Sequence, residues 1–227
     1  YWDDFWAIRG IGEAIRLCRR FGRLPEAEEF EKLRRDLMDS VRRSLREVIR
    51  RAGISYVPGC VELADNDPTS TAIAVNLGVE ESVPQNALRA SFVGYFASLR
   101  PFLQGKQRRT YTPYEIRNVE ALVRLGMREE ALEVLRYLVS DAVFPPTWNH
   151  MAEVVHARRR APSYIGDMPH TWVGSGYINA VFSLFAYEKA DRIILCAGID
   201  PDWVEKNPQG IAFSGLRTAF GKVSGEI

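Results

Sequence analysis

The sequence predicts an all-α fold of helical hairpins that closes on a short β segment. Three observations predict it. Apolar residues recur at helical spacing as far as residue 190; two Arg-apolar-Gly turns, at Gly22 and Gly126, each lead into an acidic helix start; and the chain beyond Asp191 changes to short apolar runs broken by glycine.

Ile8, Ile11, Ile15 and Cys18 line one face of a first helix, which Gly22 ends. Pro25 suits the first turn of a second helix with an apolar face of Phe30, Leu33, Leu37, Val41, Leu45 and Val48, ending near Gly53. A shorter helix starts at Asp67-Pro68, and another runs from Pro84 through Leu88, Phe92, Phe96 and Leu99. In "YTPYEIRNVEALVRLG" Thr112 reads as the cap, Pro113 as the first turn, Glu115 as the capping-box partner and Gly126 as the stop. "MREEALEVLRYLV" is the next helix and "HTWVGSGYINAVFSLFAYEK" the last long one, before "RIILCAGI" and the glycine-rich tail. The organisation expected is a helical region over 1–190 and the start of a small β appendage over 191–227.

With 227 residues and 46% hydrophobic content the chain can bury a substantial core. Its 30 basic residues nearly cancel its 29 acidic ones, so no net field points to nucleic acid or an anionic membrane. The basic stretches "RRSLREVIRR" and "HARRRAP" lie beside acids and read as solvated surface. Cys18, Cys60 and Cys196 fit neither a disulfide framework nor a zinc pattern and read as buried thiols. No apolar run is as long as a membrane span and no signal peptide is visible, while the opening Tyr1 suggests a piece of something longer. The compartment is not legible.

Tight turns make antiparallel neighbours, whereas "AGISYVPGCVELADNDP", "GKQRRTYTP" and "PPTWNHMAEVVHARRRAPSYIGDMP" are long connections. If the helices alternate in direction, those connections and "YWDDFW" share one end. That end collects Trp2, Asp3, Asp4, Trp6, Glu62, Asp65, Asp67, Tyr111, Tyr114, Glu115, Trp148, Glu153, Asp167, His170 and Trp172. A rim of carboxylates and aromatic rings fits a sugar better than a phosphate.

These residues resemble the six-hairpin (α/α)6 toroid of glucoamylase-like and trehalase-like glycosidases. "YIGDMPHTWVGSGYI" is similar to the Gly-x-x-Pro-x-x-aromatic segment that opens the last inner helix there, and "TWNHMAEVVH" offers Glu153 where those enzymes carry the catalytic base. "NDPTSTAIAV" is similar to the Asp-containing inner helix two hairpins earlier. "YWDD" supplies Asp3 and Asp4 as general-acid candidates, although the family acid is usually a Glu that sits further upstream. Inner-type helices starting near residues 3, 68, 112 and 170 fall short of six hairpins, so the resemblance implies an incomplete barrel, its C-terminal part, with the N-terminal helices missing.

What the resemblance implies is acid/base hydrolysis of a glycosidic bond in an oligo- or polysaccharide, inverting and without a cofactor or metal. Glu153, Asp3 and Asp4 are the catalytic candidates. Trp2, Trp6, Glu62, Asp65, Asp67, Tyr111, Glu115, Arg117, Trp148, Asp167, His170 and Trp172 are the substrate-binding ones.

Each has a plainer alternative. Asp3, Asp4, Asp67 and Glu115 can cap helices; Glu153 can pair with Arg158 or Arg159; His170 can bond Asp167; Trp6 and Trp172 can fill the core. Glu62, Asp65 and Asp67 lack the Gly and terminal Glu of a calcium loop. Arg117 can hold a rim carboxylate. The alternatives in function are a glycan-binding degenerate glycosidase and a non-catalytic helical scaffold. "LPEAEEFEKL" and "REEALEVLRYL" read like tetratricopeptide helices, but such repeats recur about every 34 residues and this echo separates Gly22 from Gly126.

Overall fold

A computed structural model describes residues 1–105, 112–140, 154–155, 164–167 and 169–227. The chain is mostly helical, with short antiparallel strands toward its C-terminal end. It divides into two compact units, Tyr1–Ala97 and Ser98–Ile227.

In the first unit α1 (Trp2–Arg20) and α2 (Leu24–Ala52) form an antiparallel hairpin around Gly22, whose φ of 70° is the left-handed conformation that glycine adopts without strain. Phe5, Ile8 and Ile15 of α1 pack toward Ala27, Met38, Val41, Leu45 and Val48 of α2. The buried stripe of α2 follows the expected face at Val41, Leu45 and Val48 but departs from it in the N-terminal half, where Leu33 is 51% exposed and Phe30 and Leu37 are half-buried. Arg34 sits on the inner face instead, and its Nε donates to the Ile8 carbonyl at 3.3 Å, so a polar side chain fills the turn where an apolar one was expected.

The helix α3 (Pro68–Asn76) is buried from Ser70 through Val75, without the amphipathic pattern of a surface helix. It runs parallel to α1. The Tyr1 nitrogen donates to Gly59 O at 3.1 Å, and Gly59 lies against the Asp67 cap of α3. Further along, Arg9 of α1 donates to the carbonyl of Leu77, which ends α3, at 3.2 Å. A 3-10 turn (Glu80–Ser82) leads into α4 (Gln85–Leu103), where Leu88, Phe92, Tyr95 and Phe96 are buried. Ser91 accepts Val57 N–H at 2.9 Å and so ties the long loop to α4.

In the second unit a 3-10 turn (Pro113–Ile116) opens into α5 (Arg117–Arg124), which turns at Gly126 into α6 (Arg128–Leu138). The expected capping box is absent. The 3-10 bond from Glu115 N–H to Thr112 O, 3.1 Å, uses the donor that the threonine hydroxyl would have taken, and Glu115 is packed inside at 3% exposure. Two-residue strands β1 (Val154–Val155) and β2 (Tyr164–Ile165) pair antiparallel. The last long helix, α7 (Thr171–Phe185), runs parallel to α5. Tyr114 meets His170 and Trp172 at one end, while Gly198 touches both Val123 of α5 and Leu184 of α7 at the other.

That last helix stops earlier than expected, because "AYEK" is strand β3 (Ala186–Lys189), paired with β4 (Arg192–Leu195). The carbonyls of Leu184 and Phe185 are taken by Gly198 N–H (3.1 Å) and Cys196 N–H (2.8 Å), so the returning chain supplies what another helical turn would have. A short α8 (Pro201–Glu205), not foreseen in the sequence, and the hairpin of β5 (Ala212–Thr218) with β6 (Gly221–Glu226) complete the unit. Cys18, Cys60 and Cys196 are free but only half-buried, which corrects the expectation of fully buried thiols.

Gly198→Ala should destabilise by about 2 kcal/mol, since a Cβ there would lie 2.8 Å from Leu184 Cα, a backbone atom that cannot give way. Gly10→Ala, in the open within α1, should have the opposite sign and stabilise by about 0.5–1 kcal/mol. Urea denaturation midpoints of the two variants check both.

Candidate functional site

The first unit brings part of the expected rim together. Tyr1, beside Gly59, places the start of α1 next to the loop that carries Glu62, Asp65 and Asp67. That loop is closed at its base by the Pro58–Asn66 bridge, and Tyr56 Oη and Arg51 donate to the carbonyls of Ala64 (3.0 Å) and Val61 (2.7 Å). Glu62 and Asp65 are exposed on it, with Asp65 against Cys60 and Gly59.

Asp67 behaves as the cap the sequence allowed. Its carboxylate accepts Thr69 N–H (3.0 Å), Ser70 N–H (3.1 Å) and the hydroxyls of both residues. Asp3 and Asp4 do not cap: Tyr1 holds that position without a side-chain bond, and both acids lie in the first turn, where they complement the helix dipole. Asp3 is exposed and Asp4 half-exposed. Among the rings, Phe5 goes into the core, which leaves Trp2 half-buried and Trp6, one step round the helix, 41% exposed.

The second unit assembles a tighter group where α5 and α7 begin. Arg117 is 4% exposed, its guanidinium 4.4 Å from the Tyr114 ring centroid and 5.0 Å from that of Trp172. Tyr114 meets His170 edge-on at 6.2 Å and Trp172 at 6.5 Å. Arg117 thus props both rings. His170 caps α7: its Nδ1 accepts the N–H groups of Trp172 (3.2 Å) and Val173 (3.5 Å). Trp172, 43% exposed, presents indole to solvent, and Asp167 stands exposed three residues before His170.

Two contributors were missed in the sequence. Gly176 of α7 faces Ile116 and Arg117, and its signal was the glycine pair inside the helical stretch "VGSGY". Asn118 is fully buried, with no hydrogen-bond partner for its amide among the described residues; nothing in its helical spacing marked it. Glu153, Tyr111 and Trp148 lie outside the described residues.

Glu120, which is buried, pairs with the half-buried Arg124 at 2.8 Å, and Arg124 reaches on to Glu188 O (2.9 Å) and over the Tyr187 ring, pinning β3 to α5. Burial raises the Glu120 carboxyl above its ordinary range, because desolvation outweighs the attraction of Arg124. Among the described residues no three His, Cys, Asp or Glu are placed to hold a metal ion, and no helix is long and apolar enough to cross a membrane. No protein-family model, curated protein or solved structure matches the chain.

His170→Ala should cost about 1 kcal/mol through loss of the α7 cap, whereas His170→Asn should keep most of it; thermal unfolding of the two variants checks this. A raised folded-state carboxyl means that the folded protein holds the Glu120 proton more tightly than the unfolded one. Its contribution is then present at low pH and falls as pH rises from about 4.3 through the folded-state value. Denaturant unfolding of the unaltered protein minus that of Glu120→Gln, measured across that window, should fall with rising pH.

Proposed function

We propose that the chain forms part of a carbohydrate-active (α/α) toroid of the six-hairpin glycosidase type and serves acid/base hydrolysis of a glycosidic bond, with inversion. The observation that carries this reading is the pairing of parallel helices, α1 with α3 and α5 with α7, with aromatic and polar side chains gathered where each pair begins. Burial of α3 and α5 on every side supports it. A tetratricopeptide-like stack leaves one face of each helical layer open, and an inner ring of a toroid does not.

In this reading Trp172, propped by Arg117, offers a flat apolar face to a sugar ring and Asp167 accepts bonds from hydroxyls in the second unit, while Trp2, Glu62 and Asp65 offer the same chemistry in the first. The roles come from the family resemblance: Asp3 or Asp4 as the acid that donates to the leaving oxygen, and Glu153 as the base that takes a proton from the attacking water. Asp67 uses its carboxylate as the cap of α3, and Glu115 lies buried near Arg117 in sequence, so neither is given a proton-transfer role. A glycan-binding protein without turnover is the second reading, and the same cluster would serve it.

Glu153→Gln should lower hydrolysis by about a hundredfold or more with the fold intact, because the amide keeps the shape and removes the base. Asp3→Asn and Asp4→Asn, tested singly, should show a loss of similar size for one of them only. Release of reducing sugar from an oligosaccharide, with circular dichroism as the fold control, decides it. Unchanged turnover in Glu153→Gln would remove the base; sugar binding without turnover in the unaltered protein would leave the glycan-binding reading.

A further inference from the structure

An open depression of about 570 Å3 lies in the second unit, lined by Arg136 of α6, by Asp200, Asp202 and Trp203 around α8, and by Lys206, Asn207 and Ile211 of the chain leading to β5. Its volume is that of a small-ligand site. No residue in it belongs to the rim described above.

The walls are held in place before any ligand arrives. Asp200 is buried, pairs with Arg136 and caps α8 through Asp202 N–H at 3.1 Å. Asn207 donates to Gly210 O and accepts Gln209 N–H at 3.3 Å, and Ile211 exchanges main-chain bonds with Ile227 at 3.0 and 2.9 Å. That fixes the turn that lines the depression.

The charges of the lining cancel in pairs, Arg136 with Asp200 and Lys206 with Asp202 (2.5 Å). No net field is left to draw a phosphate or a metal ion. A guanidinium carries five donors and an ammonium three, so both cations keep donors beyond those pairs, and carboxylate lone pairs lie alongside. Fixed donors and acceptors around Trp203 and Ile211 match a molecule with hydroxyls on its edge and C–H groups on its face.

We infer that this depression is a second binding site, for a neutral saccharide seated on Trp203. The inference rests on the lining alone and does not need the hydrolytic reading.

The test follows the indole N–H signals of the 15N-labelled full chain in titrations with cellotetraose, with maltotetraose and, separately, with inorganic phosphate. The Trp203 signal is assigned by its loss in Trp203→Phe. Expected is a saturable shift of that signal with at least one of the two sugars and none with phosphate. Lys206→Ala, an exposed change, should weaken the sugar by about tenfold or less without moving the melting temperature. A Trp203 signal that stays fixed with both sugars to about 10 mM, or that moves with phosphate instead, overturns the inference. A shift confined to Trp172 overturns it as well, yet supports sugar binding where α5 and α7 begin. Loss or survival of turnover in Glu153→Gln bears on hydrolysis alone.

Discussion

A helix buried on all sides cannot hand the N–H groups of its first turn to water, and the arrangement of this chain follows from that constraint. The first turn of α3 is satisfied by Asp67, whose Oδ1 accepts two N–H groups, and that of α5 by the 3-10 turn from Thr112, while α7, exposed along one face, is capped by the imidazole of His170. Polar side chains are therefore obliged to gather where these helices begin. The ends that carry caps are also the ends that carry Asp3, Asp4, Asp65, Asp167 and Trp172.

Arginine supplies much of the cross-linking between helices. Arg9 and Arg34 reach main-chain carbonyls of neighbouring elements in the first unit, and Arg124 does the same in the second while its charge is met by Glu120. A long aliphatic stem fills space like an apolar residue, and the planar head adds a hydrogen bond to a main-chain carbonyl of a neighbouring element. Arg117 uses the same head against two aromatic faces, which holds Trp172 in place while part of its indole stays in solvent. Packing and site geometry are thus set by the same side chains.

Glycines mark where backbones approach most closely. Gly59 brings α1 beside the cap of α3, Gly176 of α7 faces Ile116 and Arg117, and Gly198 lets the chain after β4 close over the ends of α5 and α7. The contacts at Gly176 and Gly198 join elements distant in sequence. At Gly198 a side chain is excluded by the backbone of α7, a reason that no local pattern contains.

The sequence by itself determined the helices, their turns and the tail: α1 and α2 around Gly22, α5 and α6 around Gly126, Asp67 as a cap, and strands beyond residue 190 all follow from periodicity and from residues with narrow backbone preferences. It also marked where α1, α3, α5 and α7 begin as the places where carboxylates and rings collect. Spacing placed Val41, Leu45 and Val48 on the inner face of α2, but only tertiary structure decided the departure near Leu33, where Arg34 gains a carbonyl partner on α1 that spacing within α2 does not reveal. The 3-10 turn at Pro113, the burial of Glu115 and the early end of α7 were settled in the same way, by hydrogen bonds and packing from elsewhere in the chain. Local propensity chooses among conformations that differ by a few tenths of a kcal/mol per residue, and about 1–3 kcal/mol from one buried contact or one satisfied carbonyl overrides it.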